Sequence, residues 1–144
     1  MRSIRRLVNE FVSIIETTDL PLQIQCEFEN RLMDVPLSKP FVAVGVKEIK
    51  MNLTALGNYA GVKDGVEEYS VPAEVVISAP IYLPRDFNGV VAYELATQMV
   101  DVVASGSLPI YKATTGEMYF DRTFLCSVLP IHFYLRDRFC GNST

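Results

Sequence analysis

Between residues 69 and 83 the chain alternates apolar side chains with other residues over an unusual length. The apolar positions are Val71, Ala73, Val75, Ile77, Ala79, Ile81 and Leu83. Successive side chains of a β-strand point to opposite faces of its sheet, so this period of two predicts a long strand with one buried face. Pro72 and Pro80 have no backbone N–H, which predicts an edge or a bulge at those points.

Two helices and further strands flank this alternation. Apolar residues recur every three or four positions over residues 3–16 and again over residues 90–105, and both patterns predict helices. Gly106 follows the second one and is a candidate for a left-handed C-terminal cap. Strands are predicted at residues 22–28, at residues 41–52 and as a pair after Pro109 with its turn at residues 114–116.

This order of elements predicts one α+β domain over residues 1–144. The expected architecture is a single mixed or antiparallel β-sheet with two helices packed on one face. Residues 52–68 contain several glycines and no sustained period, so they are predicted to form a long loop or the tip of a mobile hairpin. Residues 140–144 have the composition of a flexible tail.

The composition favours association with a partner. Apolar residues make up 49% of the chain and charged residues 21%, whereas about 25% of residues are charged in typical soluble domains. Some apolar surface is therefore expected to stay exposed until a partner covers it, with a monomer of dense core as the alternative. The net charge of −4 gives no general attraction to nucleic acid or anionic lipid. Neither a signal peptide nor a membrane span is predicted, which indicates a cytoplasmic protein.

His132, the single histidine, lies in an apolar segment that covers residues 123–137. Apolar residues occupy both parities there, which predicts a strand buried on both sides or buried on one side in an interface. A histidine in such a strand is expected to be packed and hydrogen-bonded, not catalytic. Cys126 would lie about 20 Å away along the strand, too far to share a proton. Common metal-binding, P-loop and dinucleotide motifs are also missing from the sequence, so no catalytic residue, metal or cofactor is predicted.

The order of elements resembles that of the tail-terminator proteins of tailed bacteriophages and phage-derived contractile particles. A short N-terminal helix leads to a sheet, a second helix follows with the sequence VAYELATQMVDVVAS, and a strand pair with the sequence IYKATTGEMYFDRTFLCSVLPIHFYL closes the domain. The resemblance covers nearly the whole chain and is one of pattern, without an invariant motif. Head–tail joining and tail-completion proteins share much of this pattern and are the alternative.

The resemblance implies a structural virion protein without enzymatic activity. In that family, six copies form a ring that caps the head-proximal end of the tail tube, stops tube polymerisation and provides the docking surface for the head connector. The implied partners are further copies of the chain, the tail tube protein, the head–tail connector protein and, in a contractile tail, the sheath protein. DNA would only pass through the ring. The protein would assemble in the host bacterial cytoplasm and then belong to the virion tail or neck.

Contact residues can be predicted only from their own chemistry. Loops longer than about 12–15 residues within a compact domain are usually functional or disordered. Residues 52–68 combine apolar anchors with charges, and the basic start of the first helix is a second candidate. The expected contacts are Leu53, Leu56, Tyr59, Val62, Lys63, Glu67, Glu68, Arg5 and Arg6. A hairpin packed on its own domain and a solvated helix face are the respective alternatives.

Overall fold

The computed structural model describes residues 3–26, 39–51, 59–63, 66–69, 71–85 and 89–139. Within these ranges the helices are α1 (Ile4–Glu16) and α2 (Gly89–Ala104). The strands are β1 (Gln23–Cys26), β2 (Phe41–Met51), β3 (Tyr59–Lys63), β4 (Val66–Tyr69), β5 (Val71–Ser78), β6 (Ile81–Leu83), β7 (Ile110–Thr115), β8 (Tyr119–Asp121), β9 (Cys126–Leu129) and β10 (Ile131–Phe139).

The first helix follows its sequence pattern closely. Ser3 is the N-cap, and its hydroxyl oxygen accepts a hydrogen bond of 3.2 Å from the backbone N–H of Arg6. This bond satisfies an N–H that the helix itself cannot pair, which is why serine is favoured there. The apolar stripe is buried at Leu7, Val8, Phe11, Val12 and Ile15. One face of α1 therefore belongs to the core, as the spacing predicts.

Strands β5 and β6 are two parts of one long strand. Ser78 of β5 lies opposite Gly45 of β2, and Ile81 of β6 lies opposite Val42 in the same register. The long strand is interrupted at Pro80, because proline has no backbone N–H to donate to the ladder. The long alternating strand is thus present, with its break at Pro80. Pro72 instead lies within the paired region, opposite Arg138.

The last part of the chain is built in the same way. β9 and β10 continue each other across Pro130, and their register against β6 and β5 does not change. β8 and β7 lie along their other side. Counting each interrupted strand once, the order across the main sheet is β1, β2, β5 with β6, β10 with β9, and β7 with β8. Among the described strands of this sheet, β1 and β2 are the one parallel pair, so the predicted α+β fold with a mixed sheet is confirmed.

The turn predicted at residues 114–116 is wrong. Residues 110–115 form β7, and the chain reverses at residues 122–125 instead. There the Asp121 carboxylate accepts hydrogen bonds from the N–H groups of Thr123 and Phe124, at 2.8 and 3.0 Å. Leu125 adopts a left-handed φ of 51°. An aspartate that bonds the backbone two and three residues later fixes this turn more strongly than the glycine at 116 does.

Both helices share one hydrophobic cluster with alternate residues of the sheet. Its centre is an edge-to-face pair of Phe11 from α1 and Phe133 from β10, with ring centroids 4.9 Å apart and both side chains fully buried. α1 also packs against α2, β1 and β2, while α2 packs against β6 and β7. The placement of both helices on a single face of the sheet stays a prediction.

Gly106 is not the left-handed C-terminal cap that its position predicts. Its backbone is not left-handed, and its N–H bonds to the carbonyl oxygen of Val103 at 3.1 Å. A Cβ atom at this position would lie 2.9 Å from Cδ1 of Ile14 in α1. A larger residue here would displace the end of the Ile14 side chain, so the small size of glycine favours the packing of residue 106 against α1, and the unusual dihedral angles of a cap are not needed.

The segment predicted as a long loop or hairpin tip contains two strands in its described part. β3 and β4 pair antiparallel and form a separate two-stranded sheet. The hairpin lies in the connection between β2 and β5, whose mutual pairing ends at Met51 and Ala73. Tyrosine and valine favour strands, and the nearby glycines conceal this preference in the sequence. The remaining residues of the segment, and the predicted tail at 140–144, lie outside the described residues.

Candidate interaction surface

The hairpin carries five of the predicted contact residues. Tyr59, Val62 and Lys63 lie in β3, and Glu67 and Glu68 lie in β4. Val62 and Glu67 are direct cross-strand partners. The structure thus brings these residues together on one small sheet that is separate from the main one. Leu53 and Leu56 lie outside the described residues.

Arg5 and Arg6 lie exposed near the start of α1. Nε of Arg6 is 3.5 Å from Oε1 of Glu10, one helical turn further on. Exposed pairs with this spacing contribute only about 0.3–0.5 kcal/mol, so the contact does little more than orient the side chain. The main packing of α1 is against β1, β2 and α2, and that of β3 is against β4. The two predicted contact regions therefore occupy different parts of the fold.

One face of the main sheet was not singled out by the sequence. Along β10, Ile131, Phe133 and Leu135 are fully buried in the core, whereas the intervening residues point to the opposite face. We call this opposite face the His132 face, because it carries His132, Tyr134 and Arg136. His132 and Tyr134 are half-buried and Arg136 is exposed. Of the two predicted alternatives, burial on both sides is wrong for β10, although β9 is buried at both Val128 and Leu129. Burial of one side in an interface stays a prediction.

Aromatic rings and cations interleave on the His132 face. Nζ of Lys112 lies 4.9 Å from the ring centroid of Tyr134, and the guanidinium carbon of Arg136 lies 4.4 Å from that of Tyr111. The two tyrosine centroids are 6.5 Å apart. Nε of Arg136 also bonds to Oε1 of Glu74 at 2.9 Å. Each cation–ring contact is worth about 0.5–1 kcal/mol at an exposed site, so the contacts favour these side-chain positions without fixing them.

Large apolar side chains are exposed along the β7–β8 side of the sheet. We call Tyr111, Tyr119, Phe120 and Leu125 the edge cluster; their exposed fractions are 50%, 50%, 53% and 50%. Among the described strands, β7 and β8 have a partner on one side only. Tyr119 and Phe120 are neighbours in β8, so their side chains point to opposite faces of the sheet, and what the four residues share is the edge. Exposed edges are usually protected by charges, and exposed apolar side chains along an edge indicate an interaction site. The composition predicts such exposed apolar area without locating it, and the misplaced turn at 114–116 concealed the edge strands.

His132 is not buried as deeply as its segment predicts. It lies opposite Ser78 and Thr114 on the neighbouring strands, and its ring makes no hydrogen bond to a described residue. Partial burial, followed by the positive charge of Lys47, lowers the pKa of His132 below its usual value. Burial, followed by the negative charge of Asp121, raises the pKa of the Cys126 thiol. Both shifts favour the neutral side chains, and a neutral thiol is a poor nucleophile.

The lowered pKa of His132 has a consequence for stability. Below about pH 6.5 the unfolded chain binds more protons at this position than the folded chain does, so folding becomes less favourable as the pH falls through that value. We expect His132→Asn to reduce this loss of stability while changing the free energy of unfolding near about pH 8 by no more than about 1 kcal/mol. Urea unfolding of both proteins at about pH 8 and about pH 5 measures the difference. An equal loss in both proteins would show that His132 does not cause it.

The described residues contain no group of three or more His, Cys, Asp or Glu side chains arranged to hold a metal ion. No helix in this part of the chain is both long and apolar enough to cross a membrane.

No protein-family model matches the sequence, and no curated protein is significantly similar to it. The geometry of the edge cluster, the His132 face and the β3–β4 hairpin is thus the basis on which a function can be argued.

Proposed function

We propose that this protein is a tail terminator of a tailed phage or a phage tail-like particle. Its copies form a ring, of six subunits by the resemblance, on the head-proximal end of the tail tube. The observation that carries the proposal is the edge cluster, in which large apolar side chains stay half exposed on an edge of the sheet. Exposed aromatic side chains along a sheet edge favour contact with a protein partner. The order of elements, which resembles that of tail terminators, supplies the identity of the assembly.

Ring formation sets a requirement on the surfaces of the subunit. A closed ring needs a heterologous interface, in which one patch meets a different patch on the next copy. The edge cluster provides part of one patch. The β3–β4 hairpin is a second, separate element, and we assign it to the contact with the tail tube. A ring seated on the tube in this way stops polymerisation because it covers the surface that the next tube subunit would use.

The ring acts by binding alone and needs no cofactor. On its other side it presents the docking surface for the head–tail connector, and in a contractile tail it also holds the last sheath ring. DNA passes through the ring without sequence-specific contacts. The protein assembles in the host cytoplasm and then becomes part of the virion neck.

The edge cluster is tested by replacing Tyr119 and Phe120 with serine. Truncating one aromatic anchor at the centre of an interface typically costs about 2 kcal/mol, so the double variant, which loses at least one such anchor, should associate at least roughly 30-fold more weakly than the wild type. Its thermal midpoint should change little, because both side chains are half exposed. Asn9→Ala, at an exposed position on α1, is the control. Sedimentation velocity shows the oligomer, and a Tyr119→Ser, Phe120→Ser protein that assembles like the wild type would contradict the assignment.

A further inference from the structure

The His132 face is basic although the chain is acidic overall. Lys50, Glu74 and Arg136 form one row across β2, β5 and β10, and Lys112 lies opposite Tyr134. Lys47 lies close enough to His132 to lower its pKa. Among the described residues the face carries the cations Lys47, Lys50, Lys112, Arg136 and Arg138 and the carboxylates Glu48, Glu74 and Asp121. Five cations against three carboxylates leave a surplus of two positive charges in this described part, in a chain whose net charge is −4.

The outward side of α2 has the opposite character. The helix contains Glu94 and Asp101 and has neither lysine nor arginine. Its N-terminal half exposes Val90 and Tyr93, by 66% and 46%. We call the exposed residues Val90, Tyr93, Glu94, Thr97, Gln98 and Asp101 the α2 outer face. The first five of them line an open groove along the helix. This surface is therefore apolar at one end and acidic along the rest.

The spacing of the charges on the two surfaces is compatible. Glu94 and Asp101 are two helical turns apart, about 10 Å along the axis. Lys50 and Arg136 lie in one row with β5 between their strands, so their backbones are also about 10 Å apart. The carboxylate of Glu74, which lies between them, is already bonded to Arg136. The tyrosine rings of the His132 face form an apolar surface against which the exposed side chains of Val90 and Tyr93 can pack.

From this complementarity we infer that the His132 face of one copy binds the α2 outer face of the next copy. The inference rests on the proposed ring and adds the identity of the two surfaces that meet, of which the His132 face includes Tyr111 of the edge cluster. The buried residues of α2 belong to the core cluster, whereas the His132 face points away from that cluster, so the two surfaces lie on different sides of one chain. That arrangement generates head-to-tail association, which closes into a ring when the rotation between copies allows it. A nucleic acid would use the basic face alone and leave the α2 outer face exposed.

Charge reversal with rescue tests the inference. Lys50→Glu and Arg136→Glu together should weaken association at least roughly ten-fold, because like charges then face each other across the interface. Adding Glu94→Lys and Asp101→Lys to the same chain should restore association, because the oppositely charged pairs are then present again with their signs exchanged. The matched control is Lys39→Glu with Glu16→Lys, two exposed positions outside both surfaces. Sedimentation velocity gives the oligomeric state, and thermal unfolding confirms that each variant is folded.

The outcomes separate the interface from the ring. A ring that survives Lys50→Glu with Arg136→Glu, or a quadruple variant that stays dissociated, would overturn the interface and leave the ring intact. An open filament that dissociates in the double variant and forms again in the quadruple variant would support the interface and contradict the closed ring. A double variant that loses binding to a single-stranded oligonucleotide while its oligomer is unchanged would assign the face to nucleic acid and overturn the inference.

Discussion

Replacing Phe133 with alanine is expected to lower the free energy of unfolding by about 3–5 kcal/mol. The side chain is fully buried, and its ring packs edge to face on Phe11 with centroids 4.9 Å apart. Alanine would leave a cavity between α1 and β10, and the loss includes the removed burial, the ring contact and the incomplete collapse of the site. Urea unfolding followed by circular dichroism measures the change.

Phe120→Ala is the matched control, because the same chemical change occurs at a half-exposed position. It should alter the free energy of unfolding by no more than about 0.5 kcal/mol. If both variants lost equal stability, or if Phe133→Ala were as stable as the wild type, the pair of Phe11 and Phe133 would not be the centre of the core.

The second large effect concerns the segment that contains the β3–β4 hairpin. Replacing residues 53–64 with a short Gly-Ser link should leave the thermal midpoint nearly unchanged, because β2 and β5 pair with each other up to Met51 and Ala73 without it. The same change should abolish tube capping if the segment is the contact with the tail tube. The expected result is tails of uncontrolled length, which negative-stain electron microscopy measures.

A point variant makes this test finer. Tyr59→Ala is expected to weaken capping, because a tyrosine anchor at a contact typically contributes about 2 kcal/mol. Lys39→Ala, at an exposed position outside the hairpin, should cap normally. Tubes of normal length with the Gly-Ser protein, or unfolding of that protein, would show that the segment is not the contact element.

Local patterns in the sequence predict the regular part of this fold well. The helical spacing of α1 and the alternation from residue 71 to residue 83 both reflect burial of one face, and one buried face is sufficient to fix a period. Pro80 marks a break because its effect on the ladder is local. The α+β fold class follows from the order of these elements.

The features that the sequence did not predict depend on contacts between distant residues. Gly106 packs close to Ile14, whose Cδ1 lies 2.9 Å from the position of a Cβ atom there, and no local pattern contains that contact. The last turn lies at residues 122–125 because the Asp121 carboxylate bonds the backbone there, whereas the glycine at 116 predicts it earlier in the chain. The His132 face required the register of β10 against β5 and β7, because only the register shows which side chains share a face.

The central claim is that the protein forms a closed ring that caps tail tubes. Native mass spectrometry of the purified protein at micromolar concentration, with and without tail tubes, tests it most directly. The account predicts one discrete oligomer of six 16.1-kDa chains, or its appearance when tubes are added, together with tubes of defined length. An oligomer that binds the head connector but leaves tube length unchanged would favour the head–tail joining alternative. A chain that stays monomeric and does not bind tail tubes would contradict the claim.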